Sequence, residues 1–177
     1  MTPQSNIEKF PLSLRLLHWS MAILLFSMVA AGLVMIESLA VWQPTLLTLH
    51  KGFGALALLL VCIRLVIKIK ANTPSLPSSI PTIQRFAATL SHYVLYGLMF
   101  ALPLSGVLMQ YFAAQPVVIF NIVTIPAALT PDINMFALFR VTHEYFALVL
   151  IGVVSVHLLA ALHHHFIKKD EVLQSML

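Results

Sequence analysis

The stretch from His143 to His157, which reads HEYFALVLIGVVSVH, decides the fold of this chain. Apart from Glu144 it is almost free of charge and mostly apolar. The two histidines are fourteen residues apart. Since this is nearly four turns of an α-helix, both imidazoles face the same side, roughly 21 Å apart along the axis. Because a histidine inside a hydrocarbon span is costly and usually functional, the stretch predicts a membrane helix that presents two functional imidazoles at two depths.

The composition of the whole chain is typical of a membrane protein. Its 177 residues suit one domain; 60% of them are hydrophobic and 9% are charged, with a mean hydropathy of +0.95. A spanning helix needs about 20 mostly apolar residues. Four stretches meet this requirement, at residues 13–36, 49–69, 87–110 and 142–166. We therefore predict a single all-α membrane domain over residues 1–177, built as a bundle of four transmembrane helices.

The positive charges are distributed unevenly about these stretches, although the net charge is only +4. Most fall near the two termini or between the second and third stretches, namely Lys9, Arg15, Arg64, Lys68, Lys70, Arg85, Lys168 and Lys169. Only Lys51 and Arg140 fall on the other side. Because cytoplasmic loops carry the excess of Lys and Arg, both termini are predicted to be cytoplasmic. The basic charge therefore indicates topology, and no nucleic-acid partner is expected.

Prolines predict an irregular cytoplasmic connection between the second and third stretches. Residues 72–81 cannot be helical throughout, because they include Pro74, Pro77 and Pro81. The opening segment before the first stretch, which contains Glu8, is interpreted as lying at the cytoplasmic interface.

The long outer connection, residues 111–139, is unusually apolar for a loop. It is interrupted by Pro116, Pro126 and Pro131. We interpret it as a lid folded over the outer end of the bundle. A fifth spanning helix is the competing interpretation, but it would place the carboxyl-terminal lysines on the wrong side of the membrane.

Four histidines fall into two groups by depth, since the first and third stretches run outward and the others inward. His18 and His157 lie toward the cytoplasmic end, whereas His50 and His143 lie near the outer end. Facing helices of a bundle can each offer an imidazole to one haem iron, and bis-imidazole ligation favours electron transfer over oxygen binding. We predict an inner haem held by His18 and His157 and an outer haem held by His50 and His143. Interhelical hydrogen bonding is the alternative.

Other histidines lie near the cytoplasmic end. His92 competes with His18 for the ligand role, but the depth match favours His18, and His92 is interpreted as a contact for quinone, water or a neighbouring helix. The run of His163, His164 and His165 cannot converge on one metal ion, because consecutive helical residues point about 100° apart. These residues are interpreted as interfacial, with His164 and His165 as candidate contacts for a quinone headgroup or a haem propionate.

Anionic haem propionates favour cations near each end of the bundle. Arg15 and Arg64 are available inside, and Lys51 and Arg140 outside; contact with lipid headgroups is the alternative for all four. The outer pair is the more informative, because that side has almost no other positive charge.

Several chemistries find no support in the sequence. Cys62 is the single cysteine, so an internal disulfide, a four-cysteine iron–sulfur site and covalent haem attachment are excluded. No glycine-rich phosphate loop, zincin motif or nucleophile elbow is present. Cys62, Met35 and Met109 are interpreted as apolar packing.

From Arg15 to Lys169 the chain resembles the bacterial cytochrome b561 family of dihaem membrane proteins. The matching segments are Leu17-His18-Trp19, His50, Arg64-Leu65, His92-Tyr93-Val94-Leu95-Tyr96, Ala101-Leu102-Pro103, His143-Glu144, His157 and His164-His165-Phe166-Ile167-Lys168-Lys169-Asp170. Thr142 and the third tail histidine depart from the family pattern. The resemblance implies a four-helix bundle in the bacterial inner membrane, two haem b groups, exchange of electrons with ubiquinone or another quinone, and the same four axial ligands.

The resemblance also implies a function. Some family members are similar to superoxide oxidases, which pass an electron from superoxide to ubiquinone, and others to membrane anchors of periplasmic redox proteins. Lys51 and Arg140 would attract a small anion such as superoxide, and would equally hold propionates. We expect a membrane oxidoreductase that joins an extracytoplasmic one-electron donor to quinone. The alternatives are a non-catalytic anchor subunit for a periplasmic redox protein, and a transporter or scaffold without cofactor.

Overall fold

The computed structural model describes residues 9–37, 40–72 and 80–177. Most of this part of the chain is folded into four long helices, α1 Leu12–Glu37, α2 Gln43–Lys70, α3 Thr82–Phe112 and α4 Ile133–His163. All four are long and apolar enough to cross a membrane, so the predicted four-helix membrane fold is confirmed. Some residues of the predicted cytoplasmic segments lie outside the described residues, namely Glu8, Pro74 and Pro77.

The helices extend beyond the apolar stretches that predicted them. Helix α2 begins at Gln43 rather than near residue 49, with Pro44 in its first turn, where a missing amide hydrogen costs little. Helix α4 begins at Ile133 rather than near residue 142, because the side chain of Asp132 caps it by accepting from the amide of Met135 at 3.0 Å. Hydropathy marks the part of a helix inside the hydrocarbon, whereas capping residues mark its beginning.

The helices pack in sequence order, α1 on α2, α2 on α3, and α3 on α4. Among the described residues, α1 with α4 and α2 with α4 are not closely packed pairs. These are the pairs that carry the facing histidines. In these two pairs the histidine side chains approach each other across the interior of the bundle, whereas the helix backbones stay apart.

The outer connection forms a β-hairpin, which the sequence analysis did not predict. Strands β1 (Val117–Ile119) and β2 (Val123–Ile125) pair antiparallel. Both Phe120 and Asn121, in the turn between them, have positive φ. The hairpin lies mainly on α2, where the Phe120 ring covers Gly52. Residues 113–132 contain no fifth spanning helix, and a lid over the whole outer end of the bundle stays a prediction, because the hairpin packs mainly on one helix.

The carboxyl-terminal tail folds back over the start of α1. After α4, a π-helical turn at His164–Lys168 and a residue with positive φ reverse the chain direction. A short 3₁₀ turn, Gln174–Met176, follows. The indole Nε1 of Trp19 donates to the carbonyl of Met176 at 3.0 Å, and the amide of Phe10 donates to the carbonyl of Ser175 at 2.9 Å. The two ends of the described chain thus lie together at one end of the bundle.

Candidate functional site

The structure brings together both predicted histidine pairs. The ring centres of His50 and His143 are 6.3 Å apart, and those of His18 and His157 are 6.4 Å apart. With imidazole–metal bonds of about 2.0–2.1 Å and about 1.1 Å from nitrogen to ring centre, an intervening metal ion sets the ring centres roughly 6.3 Å apart. Both pairs therefore have the separation that a bis-imidazole iron site requires.

His92 is a competing ligand for the inner site, but its ring lies at a different distance from His157 than the ring of His18 does. Its ring centre lies 5.6 Å from that of His157. This is closer than an iron between the two rings would allow, while the separation of His18 from His157 matches. The geometry therefore favours His18 as the partner of His157 and leaves His92 as a neighbour of that pair.

The orientation of His143 follows from its hydrogen bonds. Its Nδ1 lies 3.0 Å from the carbonyl oxygen of Leu102. Because a carbonyl oxygen only accepts, we assign the proton to Nδ1, which donates to it. In a neutral imidazole the other nitrogen, Nε2, then keeps its lone pair. His143 is thereby held in the tautomer that can bind iron through Nε2.

Three buried polar atoms in the described residues have no hydrogen-bond partner. They are His50 Nδ1, Arg15 Nε and the hydroxyl of Tyr96. Such atoms are rare in folded proteins and call for a ligand, an ion or water. Two of them belong to residues predicted to contact haem, and the guanidinium of Arg15 suits an anionic propionate. The residues present therefore fit a non-covalently held b-type haem.

Cations gather at the inner end of the bundle. The guanidinium Nη1 of Arg64 donates to the carbonyl of Leu14 at 2.8 Å, which ties α2 to the start of α1. The ammonium of Lys68 lies over the ring of Tyr96, 4.8 Å from its centre, in a cation–π contact. Arg15 follows Leu14 in the chain, so the predicted inner cations lie near His18. Sequence reasoning did not single out Tyr96 beyond the family resemblance.

The outer cations occupy different environments. Lys51 donates to the side-chain oxygen of Gln110 at 3.0 Å, and Gln110 is only 9% exposed. Beside Lys51, between α2 and the hairpin, lies a half-open cleft of about 300 Å³ lined by Thr48, Lys51, Pro116, Val118 and Asn121. Arg140 is exposed on α4 and is not part of that lining. Gln110 was missed by sequence reasoning, because its partner lies on another helix.

The tail histidines point in different directions. The rings of His163 and His164 are 88° apart, and His165 stacks edge-on against Phe166. His164 Nδ1 lies 2.5 Å from a carboxylate oxygen of Asp170, so this residue is engaged within the tail. Contacts of His164 and His165 with quinone or propionate stay predictions.

Known proteins match almost the whole chain. A family model described as prokaryotic cytochrome b561 matches residues 9–177. Cytochrome b561 homolog 2 of Escherichia coli (strain K12) is 32% identical over 163 residues, which are 90% of this chain and 86% of that protein. Cytochrome b561 homolog 1 of the same organism is 32% identical over 128 residues, 72% of each chain. The probable superoxide oxidase CybB of Yersinia pestis is 28% identical over 164 residues, 91% of each chain.

The family match agrees with the fold and with the paired histidines inside the bundle. Four helices able to span a membrane hold histidines in facing pairs. Relatives at these identities cover most of their own length as well as most of this chain. The chain belongs to the prokaryotic cytochrome b561 family, the haem-binding electron-transfer proteins of the bacterial membrane.

Proposed function

We propose that the protein is a dihaem cytochrome that passes electrons from superoxide, outside the cytoplasm, to a quinone in the membrane. The observation that carries this proposal is the pair of iron-compatible histidine distances, 6.3 Å and 6.4 Å, near opposite ends of one bundle. The similarity to a relative named as a probable superoxide oxidase supports the choice of donor. When bound, haem b supplies one-electron redox chemistry at each site.

Electrons and protons balance between the two ends. Each superoxide anion gives up one electron and leaves as dioxygen. A quinone takes two electrons and two protons to become a quinol, so two superoxide anions are consumed for each quinone reduced. The outer end therefore needs a site for a small anion, and the inner end needs groups that supply protons.

At the outer end, Lys51 supplies the positive charge that draws in the anion. Lys51 lines the half-open cleft between α2 and the hairpin, and Gln110, a neutral partner, leaves its charge uncompensated. Arg140 adds a second cation on the exposed face of α4 and contributes to steering, which acts over longer distances than contact.

At the inner end, His92, His164 and His165 hydrogen-bond the quinone headgroup or pass protons to it. Arg15 and Arg64 hold haem propionates. Asp170 lies against His164, where its carboxylate accepts a hydrogen bond from the Nδ1–H of that imidazole and orients the ring.

The first test is the visible spectrum of the purified protein together with its haem-to-protein ratio. A ratio near two is expected, with rapid haem reduction when superoxide and a quinone analogue are added. His50→Ala and His143→Ala should each lose the outer haem, and His18→Ala and His157→Ala the inner one. His163→Ala, on an exposed residue, is the control and should keep both. A ratio near one in the parent, or no Soret band, would contradict the proposal.

A second candidate is an anchor subunit that exchanges electrons with a periplasmic redox protein. It is favoured by large apolar side chains exposed in the outer connection, such as Ile122 at 83% and Leu129 at 102%, because exposed apolar patches mark sites of interaction. The two candidates differ in one measurement. An anchor binds both haems but is reduced by superoxide only slowly without its soluble partner.

A further inference from the structure

A serine and a backbone carbonyl of α3 meet the side chain of His143. The hydroxyl of Ser105 lies 2.8 Å from the carbonyl oxygen of Leu102 and 3.0 Å from His143 Nδ1. Ser105 is only 4% exposed. The three polar atoms therefore form a closed triangle inside the bundle, in which every group has a partner.

The directions of these hydrogen bonds are fixed by the carbonyl. The oxygen of Leu102 accepts from both the Ser105 hydroxyl and the Nδ1–H of His143. Because the hydroxyl hydrogen is used on Leu102, the oxygen of Ser105 is free to accept from the same Nδ1–H. His143 therefore donates a shared hydrogen bond to two oxygens, and the hydroxyl adds a second acceptor to the one that the backbone provides.

The opposite imidazole has a different environment. His50 Nδ1 is buried and has no hydrogen-bond partner. Near His50, a Cβ on Gly32 would lie 3.8 Å from its Cε1, whereas a Cβ on Gly106 would lie 3.3 Å from Cε1 of His143. The Nδ1–Cε1 edge of His143 thus lies against α3, where Ser105 meets it through a hydrogen bond and the absence of a side chain on Gly106 leaves room for the ring.

We propose that Ser105 is a positioning residue for His143, which makes the two imidazoles of the outer site unequal electron donors. The proposal rests on the proposed role of His143 as an axial ligand. Acceptors on the far nitrogen of a metal-bound imidazole fix its orientation and raise its basicity. A more basic ligand stabilises the oxidised iron more than the reduced iron, so Ser105 lowers the reduction potential of the outer haem.

The test is a redox titration of the Ser105→Ala variant. The outer haem is expected to become easier to reduce by about threefold in its equilibrium constant, or roughly 28 mV at about 59 mV per tenfold for one electron. The inner haem should keep its potential. Titration of His50→Ala, which should retain only the inner haem, assigns the two transitions. Electron paramagnetic resonance should show changed g values for one of the two low-spin signals.

Two further variants distinguish positioning of His143 by the Ser105 hydroxyl from a role of Ser105 in packing alone. Ser105→Thr keeps the hydroxyl and should restore the parent potential. Ser91→Ala is the matched control, because Ser91 makes the same bond within α3, to the carbonyl of Ala88 at 2.8 Å, and it should leave the outer haem unchanged. Loss of the outer haem in Ser105→Ala but not in Ser105→Thr would also support the role.

Failure of this inference is distinguishable from failure of the proposed function. If Ser105→Ala keeps both haems and both potentials, Ser105 does not position His143. Loss of the outer haem in both Ser105 variants, although Ser105→Thr keeps the hydroxyl, would mean that the buried position is sensitive to packing alone, which overturns the inference as well. If the parent holds no haem, or keeps its outer haem in His143→Ala, the ligand assignment itself is wrong.

Discussion

Three histidines meet at the inner end of the bundle, and their distances predict different roles. His18 stands at an iron-compatible distance from His157, whereas His92 is closer to it than an iron would permit. We expect His92→Ala to keep both haems and His157→Ala to lose one, as measured by the haem-to-protein ratio and the absorbance spectrum. If His92→Ala lost a haem while His18→Ala kept both, the inner pairing would be His92 with His157.

The hydrogen bond between Lys51 and Gln110 gives a second prediction at the scale of single residues. Gln110→Leu removes the acceptor that holds the Lys51 ammonium beside the outer cleft, so haem reduction by superoxide should slow by about two- to tenfold, which corresponds to the net contribution of one ordinary hydrogen bond. Lys51→Gln should slow it at least as much, and the double variant should be no slower than Lys51→Gln. Stopped-flow absorbance at several salt concentrations measures this.

The salt series provides the control. Reduction of the parent should slow as salt rises, since screening weakens steering, and this dependence should be smaller in Lys51→Gln. A Gln110→Leu variant as fast as the parent, with both haems bound, would show that Gln110 does not hold Lys51 in a functional position.

Single residues also show how far sequence reasoning reaches. The spacing of His143 and His157 predicts their shared helix face, and the depths of His18 and His50 predict the partners found opposite them. The contacts of Ser105 and Gln110 could not be predicted, because they depend on how α3 is rotated about its axis relative to its neighbours. An isolated serine or glutamine in an apolar helix has no periodic signal.

At the scale of elements, hydropathy predicts the four helices but not the structures that join them. The apolar stretch predicts a fourth helix from about residue 142, whereas the side chain of Asp132 caps α4 and begins it at Ile133. The hairpin was missed because its strands are only three residues long. Its turn also places Phe120 at a φ of 49°, which a bulky residue seldom adopts.

The cap of α4 makes a prediction about stability. Asp132→Ala removes the acceptor for the amide of Met135, and should lower the free energy of unfolding by about 1 kcal/mol. Asp132→Asn keeps an acceptor and should cost much less. Thermal unfolding in detergent, followed by haem absorbance, measures both. Equal stability of the parent and Asp132→Ala would mean that the first turn of α4 is frayed in solution.

The hairpin makes another prediction, because its Phe120 ring fills the space above Gly52. A Cβ at Gly52 would lie 3.1 Å from that ring, so Gly52→Ala should displace the hairpin and destabilise the protein by about 1–3 kcal/mol, the usual cost of overpacking. Proteolysis within residues 113–132 should become faster.

A double variant, Gly52→Ala with Phe120→Ala, identifies the cause of the destabilisation. Phe120→Ala removes the ring that the new methyl group would meet, so Gly52→Ala should cost little in that background. If the two substitutions were instead additive, the effect of the methyl group would not act through Phe120.

At the scale of the whole molecule, the tail lies against the start of α1, at the end of the bundle that holds the inner pair. Trp19, which binds the tail through Met176, has its ring 5.5 Å from that of His18. Removal of residues 171–177 should keep both haems but speed oxidation of the inner one by a hydrophilic oxidant such as ferricyanide. Trp19→Phe, which loses the hydrogen bond and keeps an aromatic ring, should have a smaller effect.

The measurement uses vesicles in which the end carrying both termini faces outward, with oxidation followed by absorbance. Unchanged rates in the truncated protein would mean that the tail does not shield the inner site. The sequence predicts the position of this tail only coarsely, through its lysines, since the π-helical turn that reverses it has no established sequence signal.

One unbroken helix, α4, supplies one member of each histidine pair and contains no proline. In the proposed dihaem function, the gap that an electron crosses between the two sites is therefore set by a single helix, and it does not depend on the loops, the hairpin or the tail. A bilayer that is too thin or too thick makes spanning helices tilt or deforms the lipid around them. In a series of lipids with increasing acyl-chain length, the protein should change its tilt while the rate of electron tunnelling between the two sites stays constant. The rates of substrate exchange at the two membrane surfaces should instead change with the lipid.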